Sequence, residues 1–89
     1  MHHELKTLPC FFEAVLDGRK KFEVRYNGDR SFQAADTATL HEYDKAEGYT
    51  GRQAHVLITY VTAFQQKEDY VVFGFRQISS ATDNQNRNY

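Results

Sequence analysis

With 89 residues, the chain is long enough for one hydrophobic core and too short for two, which predicts a single domain over residues 1–79. A hydrophobic share of 40%, with 7 Phe and 6 Tyr, excludes a wholly disordered chain. The formal net charge of -1 excludes the overall basic excess that marks many nucleic-acid-binding proteins. The single cysteine, Cys10, excludes an intramolecular disulfide, and we predict that it is a small buried side chain.

Hydropathy indicates where the protein resides. No apolar run reaches the roughly 18 residues of a membrane-spanning helix, and no signal-peptide pattern is present. We therefore expect a cytoplasmic protein without a membrane partner, and the sequence leaves its oligomeric state open. Residues 80–89 are polar and aperiodic, which predicts a disordered tail.

The first part of the chain predicts a short strand followed by one helix. Residues 3–8 alternate weakly, and Pro9 then suits the first turn of a helix that Thr7 can cap. Helical spacing predicts that four apolar residues pack into the core: Phe11, Phe12, Val15 and Leu16. The helix is predicted to stop at Gly18, because glycine is favoured just after a helix C-terminus.

The segment after the helix predicts a half-buried strand. It alternates the apolar residues Phe22, Val24 and Tyr26 with charged ones. We expect the apolar set to face the core, with Glu23 and Arg25 sharing the opposite face.

The remaining sequence predicts three more strands, over residues 37–42, 54–64 and 70–78. A polar loop over residues 44–51 and a connector over residues 65–69 separate them. Five such strands can remove their exposed edges by curling into a barrel. The predicted fold class is α+β, mainly β: a small, mostly antiparallel, five-stranded curled barrel with one N-terminal helix.

Charge is concentrated at the start of the second strand. Lys20 lies in the turn, while Glu23 and Arg25 are two residues apart on one strand face, so all three can converge. A guanidinium offers paired donors to a phosphate or base edge, an ammonium adds a point charge, and a carboxylate orients both. A surface ladder of ion pairs is the alternative that this spacing leaves open.

The spacing G-x-K-x-x-E-x-R, formed by Gly18, Lys20, Glu23 and Arg25, resembles the signature of ASCH domains, which have a PUA-like barrel. Further segments are similar to a compact, phage-associated subgroup of ASCH-like proteins: His3-x-Leu5-Lys6, Asp29-Arg30-x-Phe32, Leu40-x-Glu42-Tyr43-Asp44 and Tyr49-Thr50-Gly51-Arg52. The resemblance covers nearly the whole chain except its tail and implies the small PUA-like barrel. One departure is Ala34-Ala35-Asp36, where the subgroup tends to have a Val-Gly-Asp turn.

The resemblance also implies a binding site for RNA or a nucleotide, between the turn before the second strand and the loop over residues 44–52. By matching position, the cleft residues are Lys20, Glu23 and Arg25, with Lys6, Glu42 and Arg52 at the rim or floor. The turn around Gly51 can present backbone N–H groups and the Arg52 guanidinium to a phosphate, and Tyr49 is a candidate for base stacking.

Glu42 is the acidic residue of most interest outside the charged segment. It shares its side of the strand with Leu40, so we expect it to be partly desolvated, with Arg25 or Lys6 as its partner. A position at the strand end that faces solvent is the alternative.

Two other function classes stay open. Some ASCH proteins that resemble this one deacetylate acetylated cytidine through a Lys, a Thr three residues later and a distant Glu, but Glu23 stands at the Thr position here. Lys20 and Glu23 are therefore candidate catalytic residues only for a small hydrolase acting on another modified nucleoside. A phage-encoded protein-interaction domain is the other alternative. No metal or cofactor is predicted, because the histidines lack a recognised ligand spacing.

Overall fold

The computed structural model describes residues 1–80, which form five strands and one helix. The elements in chain order are β1 (His2–Thr7), α1 (Pro9–Leu16), β2 (Phe22–Tyr26), β3 (Thr37–Asp44), β4 (Gly48–Thr62) and β5 (Tyr70–Ser80). This order confirms the predicted strand, helix and four further strands. Apart from Ser80, which ends β5, the predicted tail lies outside the described residues. Within residues 1–80, no helix is long and apolar enough to cross a membrane.

All five strands belong to one sheet with the order β1-β3-β4-β5-β2. β1 pairs with β3 in parallel, and the other pairings are antiparallel. The sheet curls into a half-barrel, which confirms the predicted mainly β, mostly antiparallel curled fold with a helix near the N-terminus. β1 and β2 are the two edge strands, and we call the open side between them the seam.

β3 and β4 form a longer hairpin than the sequence predicts. Asp44 pairs with Gly48, so residues 45–47 are the whole connection and the predicted loop over residues 44–51 is wrong. Gly48 and Gly51 lie within β4 at φ values of 86° and 95°, where glycine meets no steric penalty. The two glycines therefore bend a continuous strand instead of ending it, and the pairing register shifts between His41 and Tyr43, where β4 has two more residues than β3.

The core fills the concave face of the half-barrel, where α1 packs against β3 and β5. α1 contributes Phe12 and Val15, which are three positions apart and face the sheet. The other buried apolar residues come from the strands and from the connection between β2 and β3: Leu5, Phe32, Ala38, Leu40, Ala54, Val56, Ile58, Val71, Phe73 and Phe75. Burial of these side chains is the main favourable term that holds the helix on the sheet.

Three predictions about the helix region are wrong. Phe11 is 49% exposed, because a helix of eight residues buries only one face and Phe11 is rotated away from it. Cys10 is exposed for the same reason. Thr7 is the last residue of β1 and does not cap the helix, since the cap position is Leu8, whose side chain makes no capping hydrogen bond.

β2 has the opposite orientation to the one predicted. Glu23 is 5% exposed, whereas Val24 is 50% exposed. Glu23 and Arg25 share one face, as the alternation predicts, but it is the concave face. The reason is the register with β5, in which Glu23 pairs with the fully buried Phe73. Directly paired residues of antiparallel strands lie on the same face, so Glu23 points inward with Phe73.

The connection between β2 and β3 closes one end of the seam. Phe32 packs between His3 and Phe73, with ring centroids 4.5 Å and 4.9 Å away. The buried His3 Nε2 lies 2.9 Å from Asp36 Oδ2. Ala35 adopts a φ of 79°, in the left-handed region that favours glycine, so an alanine at this position strains the turn. These contacts hold β1 against the rest of the half-barrel.

Candidate functional site

Two arginines reach across the seam to the free edge of β1. Arg25 Nη2, on β2, donates to the Lys6 carbonyl oxygen at 2.6 Å, and Arg30 Nη1 donates to the Glu4 carbonyl oxygen at 3.2 Å. Edge strands leave such carbonyl groups without a partner in the sheet. The guanidinium groups therefore cover this edge and are themselves held in place along the seam.

Lys20, Glu23 and Arg25 form a compact ionic group on the concave side of β2, the Glu23 cluster. Lys20 Nζ lies 2.8 Å from Glu23 Oε2, and Arg25 Nε lies 3.2 Å from Glu23 Oε1. Lys20 Nζ also donates to the Phe22 carbonyl oxygen at 2.7 Å. One buried carboxylate thus binds two cations, so the cluster has a net positive charge and Glu23 positions both basic side chains.

A cavity of about 680 Å³ opens beside these arginines along the free edge of β1. We call it the seam cleft, and its polar lining consists of Glu4, Lys6, Arg25, Arg30, His41 and Tyr49. Glu4 Oε1 lies 2.5 Å from His41 Nε2, and this hydrogen bond is the main cause that lowers the pKa of Glu4. The lining also has three cations, Lys6, Arg25 and Arg30, against this one carboxylate, so its net charge is positive.

Tyr49 gives the cleft an aromatic wall beside Lys6. Lys6 Nζ lies 4.4 Å from the ring centroid of Tyr43 and 5.8 Å from that of Tyr49. The two tyrosine rings meet edge to face, with centroids 5.0 Å apart. Tyr49 is 60% exposed, so its ring is accessible to a planar ligand while cation–π contacts keep Lys6 close.

Glu42 and Arg52 form a second ionic group with Glu13 and Thr50, the Glu42 cluster. Arg52 Nε lies 2.9 Å from Glu42 Oε1 and Arg52 Nη2 lies 3.2 Å from Glu42 Oε2, which is a bidentate pair. Arg52 Nη2 also donates to the Glu13 carboxylate on α1. Thr50 Oγ1 donates to Glu42 Oε1 at 2.7 Å. The cluster therefore links the helix to the β3–β4 hairpin.

The predicted desolvation of Glu42 is confirmed, since this residue is 6% exposed. Its predicted partner, Arg25 or Lys6, is wrong, because the long hairpin places Arg52 against Glu42 while the other two residues line the seam. Hydrogen bonding to Arg52 lowers the pKa of Glu42, and the bond to Glu42 raises the pKa of Arg52. The Nε and Nη2 groups of Arg52 are thus engaged in internal contacts.

The residues that the sequence predicts for the site lie in different places. Lys6, Arg25 and Tyr49 line the seam cleft. Glu23 binds Arg25 from the concave side, and Lys20 binds Glu23. The Glu42 cluster lies apart from the cleft, and the contact predicted between a ligand and Glu42 or Arg52 stays a prediction.

Three further residues line the cleft without a sequence signal that marks them as a site: Glu4, Arg30 and His41. In the sequence, Arg30 is one cation after the second strand and part of the segment Asp29-Arg30-x-Phe32, which assigns it no role in a site. Glu4 and His41 meet because β1 pairs in parallel with β3, although they are 37 residues apart in the chain. Local periodicity does not reveal such a register, because it reports only which residues share a face.

The arrangement of donors suits an anionic ligand. Among residues 1–80, Arg25 Nη1 makes no hydrogen bond, so its N–H groups are available to a group in the cleft. Lys20 and Glu23 are at ion-pair distance from each other. No group of three or more His, Cys, Asp or Glu side chains in the described part of the chain is placed to hold a metal ion.

The fold and the site define a small, mainly β domain with a positively charged cleft at the open seam of a half-barrel. The chain belongs to the family described as a domain of unknown function, DUF3850, whose sequence model matches residues 2–75. It is similar to a protein of Escherichia phage P2 described as "Uncharacterized 12.9 kDa protein in GpA 3'region", with 39% identity over 71 residues. The matched region covers 79% of this chain and 63% of the phage protein.

Proposed function

We propose that the chain binds a nucleotide, either free or as a unit of RNA, in the seam cleft. The observation that carries this proposal is the convergence of Lys6, Arg25 and Arg30 on one cavity that also has an exposed tyrosine. A phosphate group is bound best by cationic N–H donors, and a base stacks on a flat aromatic ring. The cleft provides both in about 680 Å³, a size typical of small-ligand sites.

Arg25 is the central phosphate-binding residue in this proposal. Its Nε and Nη2 groups are held by Glu23 and by the Lys6 carbonyl oxygen, so the side chain loses little freedom when a ligand binds. Lys6 adds a point charge, and Tyr49 stacks on the base. The overall net charge of -1 favours a short ligand over long duplex nucleic acid, whose binding depends on many phosphate contacts.

The resemblance of the G-x-K-x-x-E-x-R segment to ASCH domains supports the same site. In a PUA-like assignment, Lys20, Glu23 and Arg25 belong to the ligand-binding cleft, and here Glu23 binds Arg25 and is itself bound by Lys20. A cytoplasmic location, where RNA and nucleotides are available, is part of this proposal.

The contacts of Lys20 favour binding over hydrolysis. A general acid or base must reach a proton of the substrate. Lys20 Nζ is instead engaged by Glu23 and by the Phe22 carbonyl oxygen, at 2.8 Å and 2.7 Å. We therefore assign Lys20 and Glu23 as positioning residues of Arg25.

Calorimetric titration with nucleoside monophosphates and short RNAs tests the proposal. Arg25→Ala and Arg30→Ala should each weaken binding about tenfold, because each removes charge-assisted hydrogen bonds to the ligand. Arg76→Ala is the matched control, since Arg76 is exposed on β5 and is not part of the cleft lining; its affinity should stay within about twofold. With RNA, each lost phosphate contact should also lower the slope of log affinity against log salt by about 0.7.

Two results would count against the proposed site. Equal losses in the Arg25, Arg30 and Arg76 variants would indicate diffuse electrostatic attraction without a defined cleft. Absence of binding by the wild-type chain at low salt would refute nucleotide binding altogether.

A further inference from the structure

A second groove continues the seam beyond the seam cleft, on the side of α1. It measures about 350 Å³, and Lys6 and Arg25 line it as well as the cleft. Its aromatic walls are Phe11 of α1, Tyr26 of β2 and Tyr70 of β5. We call it the aromatic groove.

Two of the three rings that line the aromatic groove are open to solvent. Phe11 is 49% exposed and Tyr26 is 51% exposed, although both belong to elements that pack on the core. Tyr26 and Tyr70 meet edge to face at 5.7 Å, and Lys20 Nζ lies 5.6 Å from the Phe11 ring centroid. Accessible aromatic rings beside cations are the combination that single-stranded nucleic acids use for stacking.

Arg25 connects the aromatic groove with the seam cleft. A third cavity of about 270 Å³ shares Arg25 and Arg30 with the cleft and shares Tyr26 with the groove. Glu23 is a carboxylate in the groove lining, but Lys20 and Arg25 both bind it, so its charge is compensated. The lining of the third cavity also includes the Asp29 carboxylate. Arg25 is thus shared by all three cavities, with Tyr49 in the cleft and Phe11 and Tyr26 in the groove.

We infer that the ligand of the seam is a single strand of RNA that spans more than one nucleotide. One nucleotide lies in the cleft against Tyr49, the base of its neighbour lies in the groove against Phe11 and Tyr26, and Arg25 binds the phosphate between them. A strand adds a stacking contact and a phosphate contact with each further nucleotide, and a lone nucleotide leaves the groove empty. This inference rests on the proposed function, because it assigns a second subsite of the same seam.

Calorimetric titration of the full chain with uridine monophosphate and with oligouridylates of two, three and five nucleotides tests the inference. Affinity should rise about tenfold from the monophosphate to the trinucleotide and then level off. Phe11→Ala should lower trinucleotide affinity about tenfold and leave monophosphate affinity within about twofold, because Phe11 lines the groove and is not part of the cleft lining. Tyr26→Leu is a second variant with the same expected pattern, in case Phe11→Ala fails to fold.

Phe64→Ala is the control, because Phe64 is 75% exposed and lies outside the lining of both cavities. It should change neither affinity. Two results would overturn the inference without contradicting the nucleotide site. One is equal affinity for all ligand lengths, and the other is a loss of affinity in Phe11→Ala and Tyr26→Leu that does not depend on ligand length. No binding of any of these ligands by the wild-type chain would overturn both the inference and the nucleotide site.

Discussion

Glu23 and Glu42 are buried glutamates, 5% and 6% exposed, and each binds an arginine, yet their surroundings differ. Glu23 binds two cations, Lys20 and Arg25, on an edge strand beside an open cavity. Glu42 binds Arg52, and this arginine is shared with a second carboxylate from the helix. One cluster therefore has an excess of cations, and the other has an excess of carboxylates.

The ratio of charges, and not the type of ion pair, distinguishes the cluster beside the proposed binding site from the cluster that links the helix to the hairpin. Where cations outnumber carboxylates, N–H donors such as those of Arg25 Nη1 are left for a ligand. Where an arginine faces two carboxylates, as Arg52 does, its Nε and Nη2 groups bind both and hold two elements together. We expect substitutions in the two clusters to affect different properties.

The largest expected effect is a loss of stability in Arg52→Met. The variant leaves the buried Glu42 carboxylate without its cation, so the free energy of unfolding should fall by about 2 to 3 kcal/mol. This value lies at the low end for broken buried ion pairs, because the Arg52 side chain is 35% exposed. Urea unfolding followed by circular dichroism measures the change, and nucleotide affinity should stay unchanged.

Arg76→Met is the matched control for that substitution, since it removes an exposed arginine of β5. Its stability should stay within about 0.5 kcal/mol of the wild type. If Arg52→Met costs no more than this control, the Glu42 cluster does not clamp the helix to the hairpin.

A smaller loss is expected in Lys20→Met. Glu23 keeps Arg25 as a partner, so the free energy of unfolding should fall by only about 1 kcal/mol. Lys21→Met, which removes the exposed neighbouring lysine, should have almost no effect on unfolding in the same urea titration. A loss in Lys20→Met as large as that in Arg52→Met would remove the distinction between the two clusters.

The smallest expected effect is a difference in the acid dependence of stability. The pKa of Glu42 is lowered in the folded chain from its ordinary value of 4.5, mainly by the hydrogen bond from Arg52. The unfolded state therefore binds more protons, so this stabilisation is present above pH 4.5 and is lost as the pH falls through the folded-state pKa. In Glu42→Gln, the free energy of unfolding should fall less steeply as the pH decreases. The fall should not disappear, because the lowered pKa values of Glu4, Asp17 and Asp36 also contribute to it.

We would measure the free energy of unfolding of the wild type and of Glu42→Gln from about pH 6 to about pH 3. The slopes of these energies against pH test the prediction. Identical slopes would show that Glu42 titrates alike in the folded and unfolded states. Such a result would contradict a strong pair with Arg52.

The sequence predicts the order of elements correctly, because strand alternation and the Pro9 and Gly18 signals are local properties. It fails at the β3–β4 hairpin, where Gly48 and Gly51 are typical of a loop but lie inside β4. Pairing with β3 outweighs the local preference of glycine for turns there. The exposed position of Phe11 is missed for a related reason, since spacing alone does not show how wide a face the sheet covers.

By itself, the sequence determined that Glu23 and Arg25 lie on one face of a strand and that Lys20 can join them, because side chains alternate along a strand with a period of two. Only the tertiary structure decided that this face points inward, because pairing of Glu23 with Phe73 is a contact between distant segments. The same holds for the cleft, whose lining is brought together by the parallel register of β1 with β3 and by the arginines that cross the seam. Registers between distant strands depend on the packing of the whole core, so no local pattern contains them.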